Sequence, residues 1–377
     1  MARNRIIYQS EALYVSEDAS SVAAAKHEQL ERVQSANYSF SISRQDINQF
    51  GALSRVDSLV LEAPTVSLDF SYYLTNGFNE ATLGFGTGKH TDAFAVGFAS
   101  GHMTPSSGKN FYILTTAKGK DAVDAASDAA KSVIGVGNAY LTDYSLDLSV
   151  GSIPTVSCTM EGANIRSQVD VNAARSNINS PAIEQSNGAD VGVTATLPAA
   201  TTGTAGSISA LRPGDVTIAF EGAVNDISDA QDGPFVNLDT DGADGIHVQS
   251  ASLSLGMSRT PLERLGTRFP FARTVDFPVQ ASLSVSAIVN ELTAANLIDI
   301  IDQQKPITVD LTINKPGTSN GAMIYKLKGA RLDSESFSSS IGANKTVDLT
   351  FTTQIGGPDD TSNNILVSGS SATTPFA

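Results

Sequence analysis

Only one cysteine, Cys158, occurs in 377 residues. No intrachain disulfide can form, and clusters of cysteine thiolates around a metal are excluded. Cys158 itself reads as a small apolar residue on a strand. Tryptophan is missing, and there are four histidines. His27, His90, His102 and His247 show no helical metal-pair spacing, and no HExxH occurs. Charged residues make up only 17% of the chain, and 24 Lys and Arg face 39 Asp and Glu, a net charge of −15. With a pI near 4.6, the chain lacks the basic surface that tight nucleic-acid binding needs. No apolar run approaches the ~18 residues of a membrane-spanning helix. The opening MARNRIIYQS has no apolar stretch, so a secretory leader is not expected.

Small residues fill the gap: Ser, Thr, Ala, Gly and Asn. They suit strands with a polar outer face better than charged helices do. The hydrophobic fraction of 41% is enough to bury real cores. The length suits two domains or a few.

An internal repeat organises the chain. Residues 32–51, RVQSANYSFSISRQDINQFG, align without a gap on 247–266, HVQSASLSLGMSRTPLERLG, an offset of 215 (Val33 to Val248). Eight of the twenty positions are identical, among them Arg44/Arg259 and Gly51/Gly266. The apolar phase matches as well: Tyr38, Phe40 and Ile42 align with Leu253, Leu255 and Met257. The same offset places Ser67–Ser71 on Ser282–Ser286. Residues 145–160 then align on 336–351 at an offset of 191, so the first half carries 24 more residues between the blocks (215 − 191). Three blocks in one order and one phase point to duplication.

The shared blocks alternate with period two, as half-buried strands do. Val66, Leu68 and Phe70 alternate with Ser67, Asp69 and Ser71. Ile307, Val309 and Leu311 alternate with Thr308, Asp310 and Thr312. Blocks 145–160 and 336–351 read as hairpins turning at Gly151–Pro154 and Gly342–Lys345. Each half is expected to hold one short helix, over 119–134 and over 291–304. The expected organisation is a first β-domain at 1–164 with an insert at about 85–135, a low-complexity linker or arm at 165–210, a second β-domain at 211–356 and a tail at 357–377.

Chemical motifs fail on inspection. In Gly84-Phe85-Gly86-Thr87-Gly88-Lys89-His90, Leu83 and His90 stand where a P-loop needs Gly and Ser or Thr. Residues 237–242, NLDTDG, open like an EF-hand loop, but its twelfth position is Val248. A weak calcium site from Asp239, Asp241 and Asp244 stays open beside the plainer reading, an acidic loop of Asx turns. Nothing resembles a nucleophile elbow. No enzyme activity and no cofactor are expected. Arg44, Gly51, Arg259 and Gly266 read as repeat-equivalent structural positions. For the two arginines, a salt bridge closing a strand end competes with an interface or lumen role.

The phrase from Met257 to Gly266, MSRTPLERLG, and its sequel from Arg273 to Val285, RTVDFPVQASLSV, resemble tail tube (major tail) proteins of tailed bacteriophages. The first half departs at the turn, with Arg44-Gln45-Asp46-Ile47 and no proline. The resemblance covers about 250 residues loosely and rests on strand-and-turn signatures. It implies a mainly β chain of two tandem tail-tube-like barrel or sandwich domains, each with a short helix. It further implies homotrimeric, pseudo-hexameric rings stacked into a tube that conducts DNA during ejection. The implied partners are further copies of the chain, other tail proteins (terminator, baseplate or tip, sheath) and phage DNA held only in passing. The implied location is the virion, after synthesis in the host cytoplasm. Asp69, Asp147, Glu161, Asp310 and Asp348 are the lumen-lining candidates; an outer, solvent-facing position is the alternative for each. Ring-to-ring contacts are expected from the linker, the insert and the tail. The rival reading is a virion decoration or adhesin-like binding protein of paired β-sandwiches.

Overall fold

A computed structural model describes residues 11–17, 27–89, 97–104, 108–116, 120–123, 131–171, 175–184, 188–202, 210–222, 246–289, 292, 297, 306–316, 321–342, 344–357, 360 and 362–369. The fold is mainly β and antiparallel. Twelve strands carry the architecture. In the first half they are β1 (Val33–Ser41), β2 (Gln45–Ile47), β3 (Asp57–Leu59), β4 (Thr65–Tyr73), β5 (Lys131–Ser149) and β6 (Thr155–Gly162). In the second half they are β7 (Ile246–Gly256), β8 (Arg259–Leu262), β9 (Ala272–Val275), β10 (Val279–Val289), β11 (Gly321–Ser338) and β12 (Thr346–Ile355).

Eight of them form one continuous run in the order β1-β4-β6-β5-β7-β10-β12-β11. The first four and the last four follow the same order, each strand replaced by the one six later. Register matches too. Ser35 pairs with Ser71 as Ser250 pairs with Ser286, and the bulge before Ser35 recurs before Ser250. Tyr72 pairs with Val156 as Ala287 pairs with Val347. The β5–β6 ladder skips Thr142 and the β11–β12 ladder skips Asp333, its counterpart at offset 191. The short hairpins agree: Gln45 pairs with Leu59 as Thr260 pairs with Thr274. Their tips turn on Gly51 and Gly266, at φ 90° and 91°, a backbone region where glycine alone is free of strain.

The two halves join edge to edge through β5 and β7, where Leu146 faces Leu253 and Ser145 faces Ser254. Two backbone bonds bracket this joint, Val150 N–H to the Gln249 carbonyl and Met257 N–H to the Thr142 carbonyl.

β5 and β11 are long because each serves two sheets. The N-terminal part of β5 pairs with strands Lys109–Thr115 and Asn164–Val171. The N-terminal part of β11 pairs with Ile307–Asn314 and Asn364–Gly369. Outer strands Glu11–Glu17 and Val216–Gly222 complete these second sheets. Period-two alternation then puts Leu68, Phe70, Leu146, Leu253, Leu283 and Phe351 into a single core shared by both halves. Each such side chain contributes roughly 1.5–3 kcal/mol by leaving water.

Several expectations change here. Residues 131–134, expected as the end of a helix, open β5, because Val133 joins the core on a strand phase; residues 124–130 lie outside the described residues. So does the expected helix 291–304, apart from Leu292 and Leu297, and so does the acidic loop 237–244. The short helix α1 (Phe78–Leu83) lies between Gly77 and Gly84, both left-handed, and is too brief for periodicity to reveal. The run expected as a linker from 165 begins inside strand Asn164–Val171. Further along, Ile178, Ala195, Leu197 and Ala200 cover a second core around Tyr14 and Tyr112. Within the expected insert, Lys109–Thr115 is buried throughout. Within the expected tail, Asn364–Gly369 is likewise a buried strand.

Candidate functional site

The outer face of the eight-stranded run is built almost wholly of hydroxyls, amides and carboxylates. Strand pairing fixes side-chain rows across it, because directly paired residues share a face. One row runs Ser35, Ser71, Ser157, Ser145, Ser254, Ser282, Thr352. The Ser35 and Ser71 hydroxyls lie 2.7 Å apart, and those of Ser254 and Ser282 2.8 Å apart. At its end Thr352 donates to Asp333 at 2.8 Å. A second row runs Tyr73, Thr155, Asp147, Ser252, Ser284, Thr350, Ser334.

Four of the five sequence-derived acidic candidates share this face. Asp69 is exposed and accepts from Thr159 at 2.7 Å. Asp147 is exposed and accepts from Ser252 at 2.7 Å, across the joint between the halves. Asp348 is exposed beside Ser286 and Ser336. Glu161 takes a 2.6 Å ion pair from Arg273, whose side chain is 10% exposed. Asp310 is placed elsewhere. Its strand belongs to the second sheet, and Lys326 neutralises it at 2.6 Å with both side chains largely covered. Asp143 and Asp333, overlooked in the sequence, add to the acidic face; Arg331 stands at its end opposite Thr352.

The repeat-equivalent arginines differ in surroundings. Arg259 lies over the Tyr140 ring, 4.9 Å from its centre, and donates to the carbonyls of Arg273 and His102. Burial lowers its pKa to about 10. Arg44 is exposed. Hairpin tips Gly51 and Gly266 hold up Phe50 and Leu265, both fully exposed.

Beneath the polar face lies a polar cluster that composition gave no hint of. Tyr72 donates to Glu80 at 2.9 Å. The Tyr144 hydroxyl meets that of Tyr325 at 3.0 Å, linking first half to second. Phe85 and Phe98 stack at 4.2 Å and both present to the Tyr144 edge at 5.0 Å. Burial pushes the Glu80 carboxyl up to about 7 and the Cys158 thiol well up. Burial, with the charges of Lys109 and Arg259, holds His102 down to about 3. A neutral imidazole, a raised thiol and a carboxyl that ionises only near neutrality are what a dry core imposes. Cavities of about 800 and 170 Å³ lie at other places, the larger against Phe277, Arg331, Asp333 and Thr352. Among the described residues no cluster of His, Cys, Asp and Glu could hold a metal, and no helix is long and apolar enough to cross a membrane.

No known family model matches the chain, and no curated protein does. Among solved structures, a chain from the virion of a native gene transfer agent particle is similar at 15% identity, covering 29% of this chain and 82% of that one, with a TM-score of 0.19. A chain from the tail of an empty gene transfer agent particle with C6 symmetry is similar at 13% identity, covering 30% and 80%, with a TM-score of 0.20.

Proposed function

We propose that the two halves are diverged copies of one domain and that the chain is the structural subunit of a phage tail tube. Three chains would form a pseudo-sixfold ring, and stacked rings would enclose a channel lined by the polar sheet face. The observation that carries this reading is the eight-stranded run, in which both halves contribute four strands in one order and one register to a single polar face. The sequence resemblance adds the direction in which that face is used.

The dimensions agree with a channel. Three runs of eight give 24 strands; at ~4.8 Å spacing and ~40° tilt the circumference is roughly 150 Å and the diameter about 48 Å. Inward side chains leave a bore of about 35 Å, wide enough for a DNA duplex with its water. DNA carries about one negative charge per 1.7 Å. A basic lining would hold it and slow ejection; hydroxyls with Asp69, Asp143, Asp147 and Asp348 repel it weakly and let it slide. The exposed apolar tips Phe50 and Leu265 would form a sixfold set around the ring, suited to contacts along the tube axis.

Electron microscopy of the assembled protein tests this. The expected image is a tube of stacked rings, three chains each, with the polar face toward the bore. Monomers at high concentration, as a decoration or adhesin protein would give, overturn the reading. So does a tube whose polar face points outward.

A further inference from the structure

We infer that the joint between the two halves is repeated between chains, so that β1 of one copy pairs antiparallel with the C-terminal part of β11 of the next, in a register the chain itself specifies. This rests on the proposed ring only in needing a second copy; the register comes from the intrachain joint.

β5 has both edges filled at its C-terminal end, by β6 and by β7. Its counterpart β11 is paired there with β12, and no described strand flanks residues 334–338 on the other side. β7 has β5 and β10 as neighbours; its counterpart β1 hydrogen-bonds β4 alone among the described strands. Among the described strands, the two edges with no strand neighbour are therefore the counterparts of the two edges already joined.

Exposure follows the same logic. Leu253, Leu255 and Met257 are 3%, 0% and 0% exposed at the intrachain joint, whereas their counterparts Tyr38, Phe40 and Ile42 are 44%, 58% and 40% exposed. Leu146, facing Leu253, is fully buried; its counterpart Phe337 is 40% exposed. These are core-facing positions without a cover. Such open apolar edges invite strand addition.

Carrying the β5–β7 register over by the two offsets sets the pairs. Leu146–Leu253 becomes Phe337–Tyr38. Ser145–Ser254 becomes Ser336–Ser39, and Asp147–Ser252 becomes Ser338–Asn37. On the outer face every polar position meets a polar one, and on the inner face an aromatic pair replaces the leucines, while Ala251–Leu148 becomes Ala36–Ser339 and Leu255–Tyr144 becomes Phe40–Glu335. The Met257 N–H bond to Thr142 becomes Ile42 N–H to the Asp333 carbonyl. That leads the next residues, including exposed Arg44, to the cavity of about 800 Å³ lined by Asp333 and Asp360. In the first half the corresponding place, at Tyr140 and Glu161, is already filled by Arg259 and Arg273. The contact is head-to-tail, so it closes rings or extends filaments.

Paired cysteines test the register, since a disulfide needs Cα atoms within about 7 Å and native Cys158 is buried. Mild oxidation of assembled S39C/S336C protein is expected to link chains covalently, at least tenfold more than the displaced pair S39C/S338C. Tyr38→Lys is expected to block assembly, and adding Phe337→Glu to restore it. Tubes that assemble but link only at the displaced pair overturn the register and leave the tube standing. Linked closed oligomers that never stack sustain the register and overturn the tube. A chain that remains monomeric overturns both.

Discussion

Replacing Glu80 by Gln should free the fold from an unfavourable pH dependence. Glu80 is fully buried, accepts from Tyr72, and is held near pKa 7 instead of 4.5 by its removal from water. The unfolded chain therefore releases this proton first. Stability falls as pH rises from about 4.5 to about 7 and then levels off. The displacement corresponds to about 3 kcal/mol over that window. Glutamine keeps an acceptor for the Tyr72 hydroxyl and cannot ionise. E80Q should match the wild type near pH 4.5 and exceed it by up to about 3 kcal/mol above pH 7.5. The assay is the urea midpoint of unassembled protein at half-unit pH steps, wild type against variant. His102 works in the opposite sense: its folded pKa of about 3 against 6.5 costs stability as pH falls through that range. It titrates alike in both proteins, so the difference cancels it. A variant less stable than wild type at pH 8 would refute the reasoning, because the carboxylate would then be favoured in place.

Tyr144→Phe and Tyr325→Phe should couple in a double-mutant cycle by about 1 kcal/mol, since each hydroxyl loses the other across the two halves; strict additivity in denaturation midpoints would contradict that bond. Gly101→Ala should cost about 2–4 kcal/mol by thermal melting, because its Cβ would collide with the Gly84 carbonyl, a backbone atom. A variant as stable as wild type would show that the close approach is not native. Assembled tubes of D69K/D147K/D348K should retain duplex DNA in a salt-dependent way in a sedimentation assay while wild-type tubes do not; equal release by both would place that face away from the DNA.

The strands were legible because a half-buried strand writes its two faces into alternate residues. Val66, Leu68 and Phe70 announced themselves, as did the hairpin turns at Gly151 and Gly342. The acidic candidates were found by the same alternation, which explains Asp310: it alternates correctly but on a different sheet. Alternation gives a face, never the sheet to which the face belongs. Strand Asn364–Gly369 hid in a Ser- and Asn-rich run because composition measures polarity, whereas burial depends on what pairs alongside. Glu80 could not be found at all. A carboxyl in a six-residue helix looks solvated until Tyr72 and Tyr144 close over it.

By itself the sequence determined that the chain is β-rich, acidic, without an intrachain disulfide, and patterned twice over, because these follow from residue type, count and spacing. The tertiary structure alone decided that the two patterns share one sheet, that β5 meets β7, and that no described strand pairs the outer edges of β1 and of the C-terminal part of β11. Pairing between distant strands depends on which edges come together in space, and no local pattern records that.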